Sequence, residues 1–268
     1  MVFDMHVHVF PDKIAGKAAG SIGSFYGYAM AHDGTAATLT EEMKKAGVTR
    51  ALIHSVALTP HQVDSINHFI AETAGKAPED FVGFGAVHPD YEDLTGLMRE
   101  VKALGLRGLK IHPDMQRFPV DGDAAMKMFE AISAAGLPVL IHAGDPRFDF
   151  SHPEQIKNVA EAFPKMRIIA AHLGGHGEWE KIPALAKCDN VYTDTSSALY
   201  FMEAERAVSL IRAYPETHVF FGTDYPMWNP EEELERFLSL PLSEEEKERI
   251  LYKNAADFFG GRECLPHK

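Results

Sequence analysis

Residues 103–112 read Ala-Leu-Gly-Leu-Arg-Gly-Leu-Lys-Ile-His, and this stretch decides the fold. It joins the end of a helix, a Gly that can adopt the left-handed conformation of a helix C-cap, and a short apolar strand. The same succession occurs in residues 45–54 and 134–142, and all three copies end on His. The chain is therefore predicted to repeat a unit of helix, turn and strand.

Apolar runs recur along the whole chain. Most are continuous stretches of Val, Ile, Leu, Ala and Phe, as expected for parallel strands that are covered on both faces. Eight units of strand and helix in about 250 residues favour an α/β fold of the closed (β/α)8 TIM-barrel type. A doubly wound open sheet is the alternative, although no Gly-rich phosphate loop follows the first strand. The strands are predicted near residues 3–9, 50–56, 81–87, 106–112, 137–142, 167–172, 190–195 and 218–223.

Helix signals lie between these strands. Thr59 and Pro60 form a helix start, with Thr as the N-cap and Pro at the first helical position. Ser243 and Glu246 have the spacing of a capping box. Further amphipathic segments predict helices over residues 123–135, 151–163, 203–214 and 243–259.

The first connection, residues 11–39, is long and rich in Gly, Ala and Ser. We expect a loop there, which forms either a lid or pocket wall or plain surface. No linker or low-complexity stretch interrupts the alternation of strand and helix. Residues 1–268 are therefore predicted to form a single domain.

Charge and cysteine content narrow the class of protein. The net charge is -13 and the pI about 5.5, which argues against nucleic acid as a partner because that needs clustered Lys and Arg. No apolar run reaches the length of a membrane span, and the first residues lack the features of a signal peptide. Cys188 and Cys264 provide neither a disulfide framework nor a cysteine zinc site. We expect a cytoplasmic protein with no membrane partner.

Polar residues collect where the predicted strands end, which is where a barrel places its chemistry. His6 and His8 share one face of the first strand because side chains alternate with period 2. Several imidazoles and a carboxylate around one axis suit Zn²⁺, Mn²⁺ or Fe²⁺, and the lack of a thiolate favours a site with an open position for water or substrate. The later strands carry, at or near their ends, His54, His88, Lys110, His112, His142, His172, Asp194 and Asp224.

The order of these residues resembles that of the amidohydrolase superfamily of metal-dependent barrels. The resemblance is closest to its amidohydrolase-related (amidohydrolase 2) branch, which mixes hydrolases with non-oxidative decarboxylases, and it spans residues 4–260. It is carried by His6-x-His8, Lys110, His142, His172 and Asp224, together with the segments 108–113, 171–175, 221–226 and 254–259.

The resemblance implies one divalent metal ion held by four side chains. We expect Zn²⁺, with Mn²⁺ or Fe²⁺ as alternatives. Such an ion lowers the pKa of a bound water to roughly 7, so that hydroxide is available at neutral pH. The implied ligands are His6, His8, His142 and Asp224.

Two residues are candidates for proton transfer. Asp224 can ligate the metal and also accept a proton from water if only one of its oxygens is used for coordination. His172 is a second base or electrophile because its imidazole can titrate near neutrality. The alternative for His172 is a structural histidine that caps the turn at Gly174 and Gly175.

Lys110 has three interpretations. Some branches of the superfamily carry a carboxylated lysine on strand 4 that bridges two metals, and this chain has the residues for such a pair. The context Lys-Ile-His-Pro favours the mononuclear branch, in which Lys110 stays an ammonium that is available to a substrate carboxylate. A lysine paired with an interior acid is the third interpretation.

Substrate contacts are expected from residues near the strand ends. Arg147 could clamp a carboxylate with two hydrogen bonds. His112, Tyr225 and Trp228 are further candidates, although each of these side chains could equally belong to an unspecific rim. His54 and His88 are predicted to support ligands or to pack loops, and Asp4 and Asp194 are placed to orient a ligand.

We expect a metal-dependent hydrolase that uses a metal-activated water on a small, carboxylate-bearing substrate. Non-oxidative decarboxylation of an aromatic or unsaturated acid is the alternative. A catalytically inactive barrel that acts as a binding protein is disfavoured because none of the expected ligands is missing. The branch is commonly dimeric, which favours a homodimer, although no surface pattern in the sequence indicates an interface.

Overall fold

The computed structural model describes residues 1–260, so Cys264 lies outside the described residues. Each strand falls within a predicted range, and the third predicted strand divides at Phe84 into two short ones. The strands of the described residues are β1 (Phe3–His8), β2 (Arg50–His54), β3 (Phe81–Gly83), β4 (Gly85–Ala86), β5 (Leu109–Ile111), β6 (Val139–Ile141), β7 (Ile168–Ala170), β8 (Val191–Asp194) and β9 (Val219–Phe220).

The predicted helices are also present. Thr59 and Gln62 form a capping box at a 3-10 turn that leads into α3, and Ser243 and Glu246 form the predicted box at α11. A π-helical stretch, Arg249–Lys253, joins α11 to α12. The α-helices within residues 1–260 are α1 (Asp12–Tyr26), α2 (Ala36–Ala46), α3 (Val63–Lys76), α4 (Leu94–Ala103), α5 (Pro113–Gln116), α6 (Asp123–Ala135), α7 (Pro153–Ala162), α8 (Ile182–Leu185), α9 (Ala204–Ile211), α10 (Pro230–Leu238), α11 (Glu244–Glu248) and α12 (Asn254–Phe258).

The prediction of a loop over residues 11–39 is wrong, because α1 and the beginning of α2 occupy much of this stretch. The buried positions of α1 are Ala15, Ala19 and Gly23, which recur every four residues. Small side chains therefore form the packed face of α1, in place of the large apolar stripe that usually reveals a helix. A Cβ at Gly23 would lie 2.6 Å from the Tyr28 carbonyl oxygen, which explains the glycine there.

The chain divides into two compact units, and a single domain over residues 1–268 stays a prediction. Among the described residues, the first unit consists of 1–53, 73–82 and 195–260. Its sheet has the order β1-β2-β3, and both faces of β1 are buried. The chain that follows β9 runs beside β1, with backbone hydrogen bonds from Asp224 to His6 and from His8 to Tyr225. This pairing brings the end of β1 next to Asp224.

The second unit consists of residues 54–72 and 83–194. Its strands β4 to β8 are neighbours in chain order and all pair in parallel. Parallel neighbours have their carboxyl ends at the same edge of a sheet, so residues that follow β5, β6 and β7 lie side by side. None of the helices in residues 1–260 combines the length and the apolar character that a membrane span requires.

Candidate functional site

In the first unit, two imidazoles point at one carboxylate oxygen. The Nε2 atom of His6 lies 3.5 Å from Oδ1 of Asp224, and the Nε2 atom of His8 lies 3.4 Å from the same oxygen. All three side chains are buried. Three N and O donors around one point, with no sulfur among them, fit a divalent cation of the Zn²⁺, Mn²⁺ or Fe²⁺ type.

Neighbouring polar groups fix these donors. The Oγ atom of Ser196 lies 3.1 Å from Nδ1 of His6, so the other ring nitrogen, Nε2, is the one that faces Asp224. The carboxylate of Asp4 accepts hydrogen bonds from the backbone N–H of His6 and from the backbone N–H and hydroxyl of Thr223. Asp4 therefore ties β1 to the turn that carries Asp224, as expected of a group that orients ligands.

Asp224 has a left-handed backbone conformation, with φ of 61°. Non-glycine residues seldom adopt it, although Asp and Asn tolerate it better than others. Ser197, with φ of 48°, donates its hydroxyl hydrogen to Oδ2 of Asp224. The indole N–H of Trp228 donates in turn to Ser197 Oγ at 2.8 Å. Such backbone outliers cluster at functional sites, where the surrounding structure holds them in place.

In the second unit, His142 and His172 meet at the ends of β6 and β7. The Nε2 atom of His172 lies 2.9 Å from Nδ1 of His142, while Nε2 of His142 lies 3.1 Å from the Gly144 carbonyl oxygen. A carbonyl only accepts, so His142 carries its proton on Nε2 and offers Nδ1 as an acceptor. Burial, aided by the nearby charges of His112 and His172, holds the pKa of His142 well below its usual range. Neutral imidazole is the form that binds a metal.

His172 itself is held through its backbone. Its φ is 62°, its N–H donates to Oδ1 of Asp194 at 3.2 Å, and its carbonyl accepts from the Trp179 indole at 3.0 Å. The turn that follows is closed by backbone hydrogen bonds to the carbonyls of Ala171 and His172. The imidazole of His172 contacts His142, while backbone groups close that turn.

Lys110 and His112 lie at the end of β5. Lys110 is fully buried, and its charge is one of those that lower the pKa of His142. The His112 ring stacks on His142 with centroids 3.8 Å apart, and its Nδ1 accepts from the backbone N–H of Met115. Both residues therefore lie close to His142, and their roles toward metal or substrate stay predictions.

Sequence reasoning missed Asp114. Its carboxylate is buried, accepts a hydrogen bond from the Ser151 hydroxyl, and has Oδ2 3.9 Å from Nε2 of His142. Burial raises the pKa of the Asp114 carboxyl to about 6. A sequence signal was available, because Asp114 lies two residues after His112, in the first turn of the short helix α5 that follows β5. Sequence reasoning also missed Ser196 and Ser197, which lie just beyond Asp194 at the end of β8.

The other predicted substrate contacts already have partners within the protein. Arg147 forms a two-point ion pair with Asp145, at 2.9 and 2.7 Å. Tyr225 is fully buried, and its hydroxyl donates to the Thr35 carbonyl at 3.0 Å, which argues against its use on a substrate. Trp228 stacks on the exposed Tyr200 ring, with centroids 4.6 Å apart. His54 and His88 are buried, and burial lowers the pKa of His88.

Three solved structures show the fold. A TIM-barrel protein of Bordetella bronchiseptica is 21% identical, with 96% of this chain and 97% of that chain covered and a TM-score of 0.77. A dihydroxybenzoic acid decarboxylase of Polaromonas sp. JS666, with bound manganese and the inhibitor 2-nitroresorcinol, is 17% identical, with 99% of each chain covered and a TM-score of 0.76. A 5-carboxyvanillate decarboxylase of Novosphingobium aromaticivorans DSM 12444, in complex with manganese and 4-hydroxy-3-methoxy-5-nitrobenzoic acid, is 17% identical, with 97% of this chain and 96% of that chain covered and a TM-score of 0.74.

These similarities confirm the predicted α/β fold of the (β/α)8 TIM-barrel type. No curated protein matches the sequence. The family model described as amidohydrolase matches residues 3–261, nearly the whole chain. This protein therefore belongs to the amidohydrolase family, in its amidohydrolase 2 branch.

Proposed function

We propose that the protein is a metal-dependent enzyme that removes CO2, without oxidation, from a small aromatic or unsaturated acid. The convergence of His6 Nε2 and His8 Nε2 on Asp224 Oδ1 carries the metal-dependent part of this proposal. The choice of reaction is supported by two similar structures that are named as decarboxylases and match nearly from end to end. It reverses the order that the sequence favoured, in which hydrolysis came first.

His6, His8 and Asp224 would hold the ion. The family resemblance adds His142 as the fourth ligand, and to bind the ion one of its ring nitrogens would exchange its present partner, the Gly144 carbonyl or His172, for the metal. Both decarboxylases contain manganese, so Mn²⁺ stands beside Zn²⁺ as the proposed ion. Lys110 would remain an ammonium that attracts a carboxylate, and we propose one ion in preference to two. When bound, a divalent ion would polarise the oxygen atoms of the substrate.

The remaining chemistry belongs to the side chains. Decarboxylation breaks the bond between the carboxyl carbon and the substrate, CO2 leaves, and the electron pair stays on the substrate carbon. That carbon then needs a proton. The Nε2 atom of His172 is 2.9 Å from a ring nitrogen that accepts, so it carries a proton in this arrangement. We assign the proton transfer to His172.

Hydrolysis is the second candidate, and it is favoured by the different partners of the two carboxylate oxygens of Asp224. Its Oδ1 faces the two imidazoles while its Oδ2 accepts the Ser197 hydroxyl. A carboxylate whose two oxygens have different partners can bind a metal ion through one oxygen and accept a proton from water with the other oxygen, as hydrolysis requires.

Both reactions are tested on the same metal-loaded protein, once with Mn²⁺ and once with Zn²⁺. One panel holds hydroxybenzoates and unsaturated acids, and the other holds lactones, esters and amides. Two results support decarboxylation: release of CO2 and, in D2O, a product that carries deuterium at the carbon that lost its carboxyl group. Mass spectrometry detects both. Turnover of the second panel alone would overturn decarboxylation in favour of hydrolysis.

A further inference from the structure

The second oxygen of Asp224 is connected to a group of aromatic side chains by a chain of two hydrogen bonds. Trp228 Nε1 donates to Ser197 Oγ at 2.8 Å, and Ser197 donates to Oδ2 of Asp224. Ser197 is 3% exposed, so its hydroxyl is largely shielded from water. We call this connection the Trp228–Ser197 chain.

The direction of the chain is fixed by chemistry. An indole N–H can only donate, so Ser197 Oγ must accept from Trp228 and turn its own hydrogen elsewhere. Two acceptors lie within reach, Oδ2 of Asp224 and the Met227 sulfur at 3.6 Å. A carboxylate is by far the stronger acceptor of the two. Trp228 therefore directs the Ser197 hydrogen to Asp224.

This arrangement determines which oxygen of Asp224 faces the imidazoles. A carboxylate that is held on one side only can rotate about its terminal torsion, because the well for that torsion is broad. The hydrogen bond to Oδ2 removes this freedom and leaves Oδ1 at 3.5 and 3.4 Å from His6 and His8. The ligand oxygen is thereby oriented before an ion arrives.

Trp228 also lies among aromatic rings that reach the surface. Tyr200 stacks on it at 4.6 Å, and Tyr28 and Phe201 lie at centroid distances of 6.1 Å. Tyr28 is 41% exposed and Tyr200 is 50% exposed. The packing of these rings holds the indole in place, which in turn holds its N–H on Ser197.

We infer that Ser197 and Trp228 are positioning residues that hold Asp224 for metal binding. This inference rests on the proposed metal site. Groups that orient a metal ligand typically change metal affinity by about 10- to 100-fold when they are removed. The net contribution of one hydrogen bond between neutral groups corresponds to a change of about 2- to 10-fold in affinity.

The test measures the affinity of metal-stripped protein for Mn²⁺ and for Zn²⁺ by calorimetry. We expect Ser197→Ala to weaken metal binding about 10- to 100-fold. Trp228→Phe, which keeps an aromatic ring but has no N–H donor, should weaken it about 2- to 10-fold. Ser21→Ala is the matched control, because exposed Ser21 donates only to the Lys17 carbonyl one turn earlier in α1. It should bind as the wild type does.

Ser197→Gly separates the hydroxyl from the backbone. Glycine adopts a φ of 48° without strain, so weak binding by both the Gly and the Ala variants assigns the effect to the hydroxyl. Restored binding in Ser197→Gly would overturn the inference in favour of backbone strain. Circular dichroism establishes that each variant is folded.

A spectroscopic readout is also available, since Trp179 and Trp228 are the two tryptophans of the chain. In a Trp179→Phe background, metal binding should change the emission of Trp228, and Ser197→Ala should abolish that change. Unchanged emission on metal binding would contradict a connection of Trp228 to the metal site through the Trp228–Ser197 chain. Wild-type protein that binds no metal would refute the proposed function, whereas tight binding by Ser197→Ala would refute the positioning role alone.

Discussion

His172 and Asp224 are the two described residues proposed for proton transfer, and both have left-handed backbones, with φ of 62° and 61°. For an L-residue this conformation costs about 1–2 kcal/mol, so the hydrogen bonds around each turn must maintain it. Asp194 and Trp179 hold the backbone of His172, and Asp4 holds the residue before Asp224. Substitution by Asn is the suitable test at either position, because Asn tolerates this conformation.

His172→Asn should keep the metal and lose turnover. His172 is not among the proposed ligands, and removal of a proton-transfer group typically costs about 10²- to 10⁴-fold in rate. Metal content is measured by elemental analysis, and turnover is measured on the same sample with the substrates that the wild-type enzyme converts. Loss of metal together with activity would make His172 a ligand, and normal turnover would assign the proton to another group.

Asp114 carries a prediction about pH. Burial raises the pKa of its carboxyl from 3.8 to about 6, so the folded protein holds this proton more tightly than the unfolded chain does. The resulting stabilisation is present in acid and is lost as the pH rises through the folded-state pKa. Two pKa units correspond to roughly 3 kcal/mol, of which about 2 kcal/mol should fall between pH 4.5 and 7.5.

In metal-free protein, Asp114→Asn should therefore gain about 2 kcal/mol in free energy of unfolding relative to wild type when the pH is raised from about 4.5 to 7.5. Chemical denaturation at both pH values measures this change. Asp189→Asn, at an exposed aspartate, is the control and should show no such change. If the free energies of unfolding of Asp114→Asn and wild type differ by the same amount at both pH values, Asp114 does not titrate in this range.

At the scale of elements, α1 offers a matched set of glycine substitutions. A Cβ at Gly16 or Gly20 meets no atom within 4 Å, whereas one at Gly23 would lie 2.6 Å from the Tyr28 carbonyl oxygen. Ala in place of a helical Gly stabilises by about 0.4–1 kcal/mol when the space is free. Gly16→Ala with Gly20→Ala should raise the free energy of unfolding by about 1–2 kcal/mol, and Gly23→Ala should lower it.

Denaturant titration of the two variants provides the measurement. Destabilisation by Gly16→Ala with Gly20→Ala would mean that this face of α1 is covered in solution. It would also explain why the helix keeps glycines that weaken it.

The strands were predictable because buried parallel strands have an apolar signature of their own. The strand-end histidines followed from it, since β6 ends next to His142 and β7 next to His172. The helix α1 was not predictable in this way, because its buried face consists of Ala and Gly and has no large apolar stripe. Ser196 and Ser197 were missed because an isolated serine pair has no sequence signal until the structure places it beside His6 and Asp224.

At the scale of the whole molecule, a small-molecule substrate and the absence of a nucleic-acid partner stay predictions, the second of them based on the net charge of -13. A homodimer, a cytoplasmic location and the absence of a membrane partner stay predictions. Family and fold extend over nearly the entire chain, with the family model at residues 3–261. The metal centre is the feature on which the proposed activity depends.

Metal content at saturation tests the metal centre most directly. Purified protein is stripped, equilibrated with excess Mn²⁺ or Zn²⁺, freed of unbound ion and subjected to elemental analysis, beside Asp224→Asn and Lys110→Met. We expect about one equivalent in the wild type and in Lys110→Met, and almost none in Asp224→Asn, because removal of a charged ligand destroys the site. No metal in the wild type, or a full equivalent in Asp224→Asn, would contradict a metal centre built on His6, His8 and Asp224.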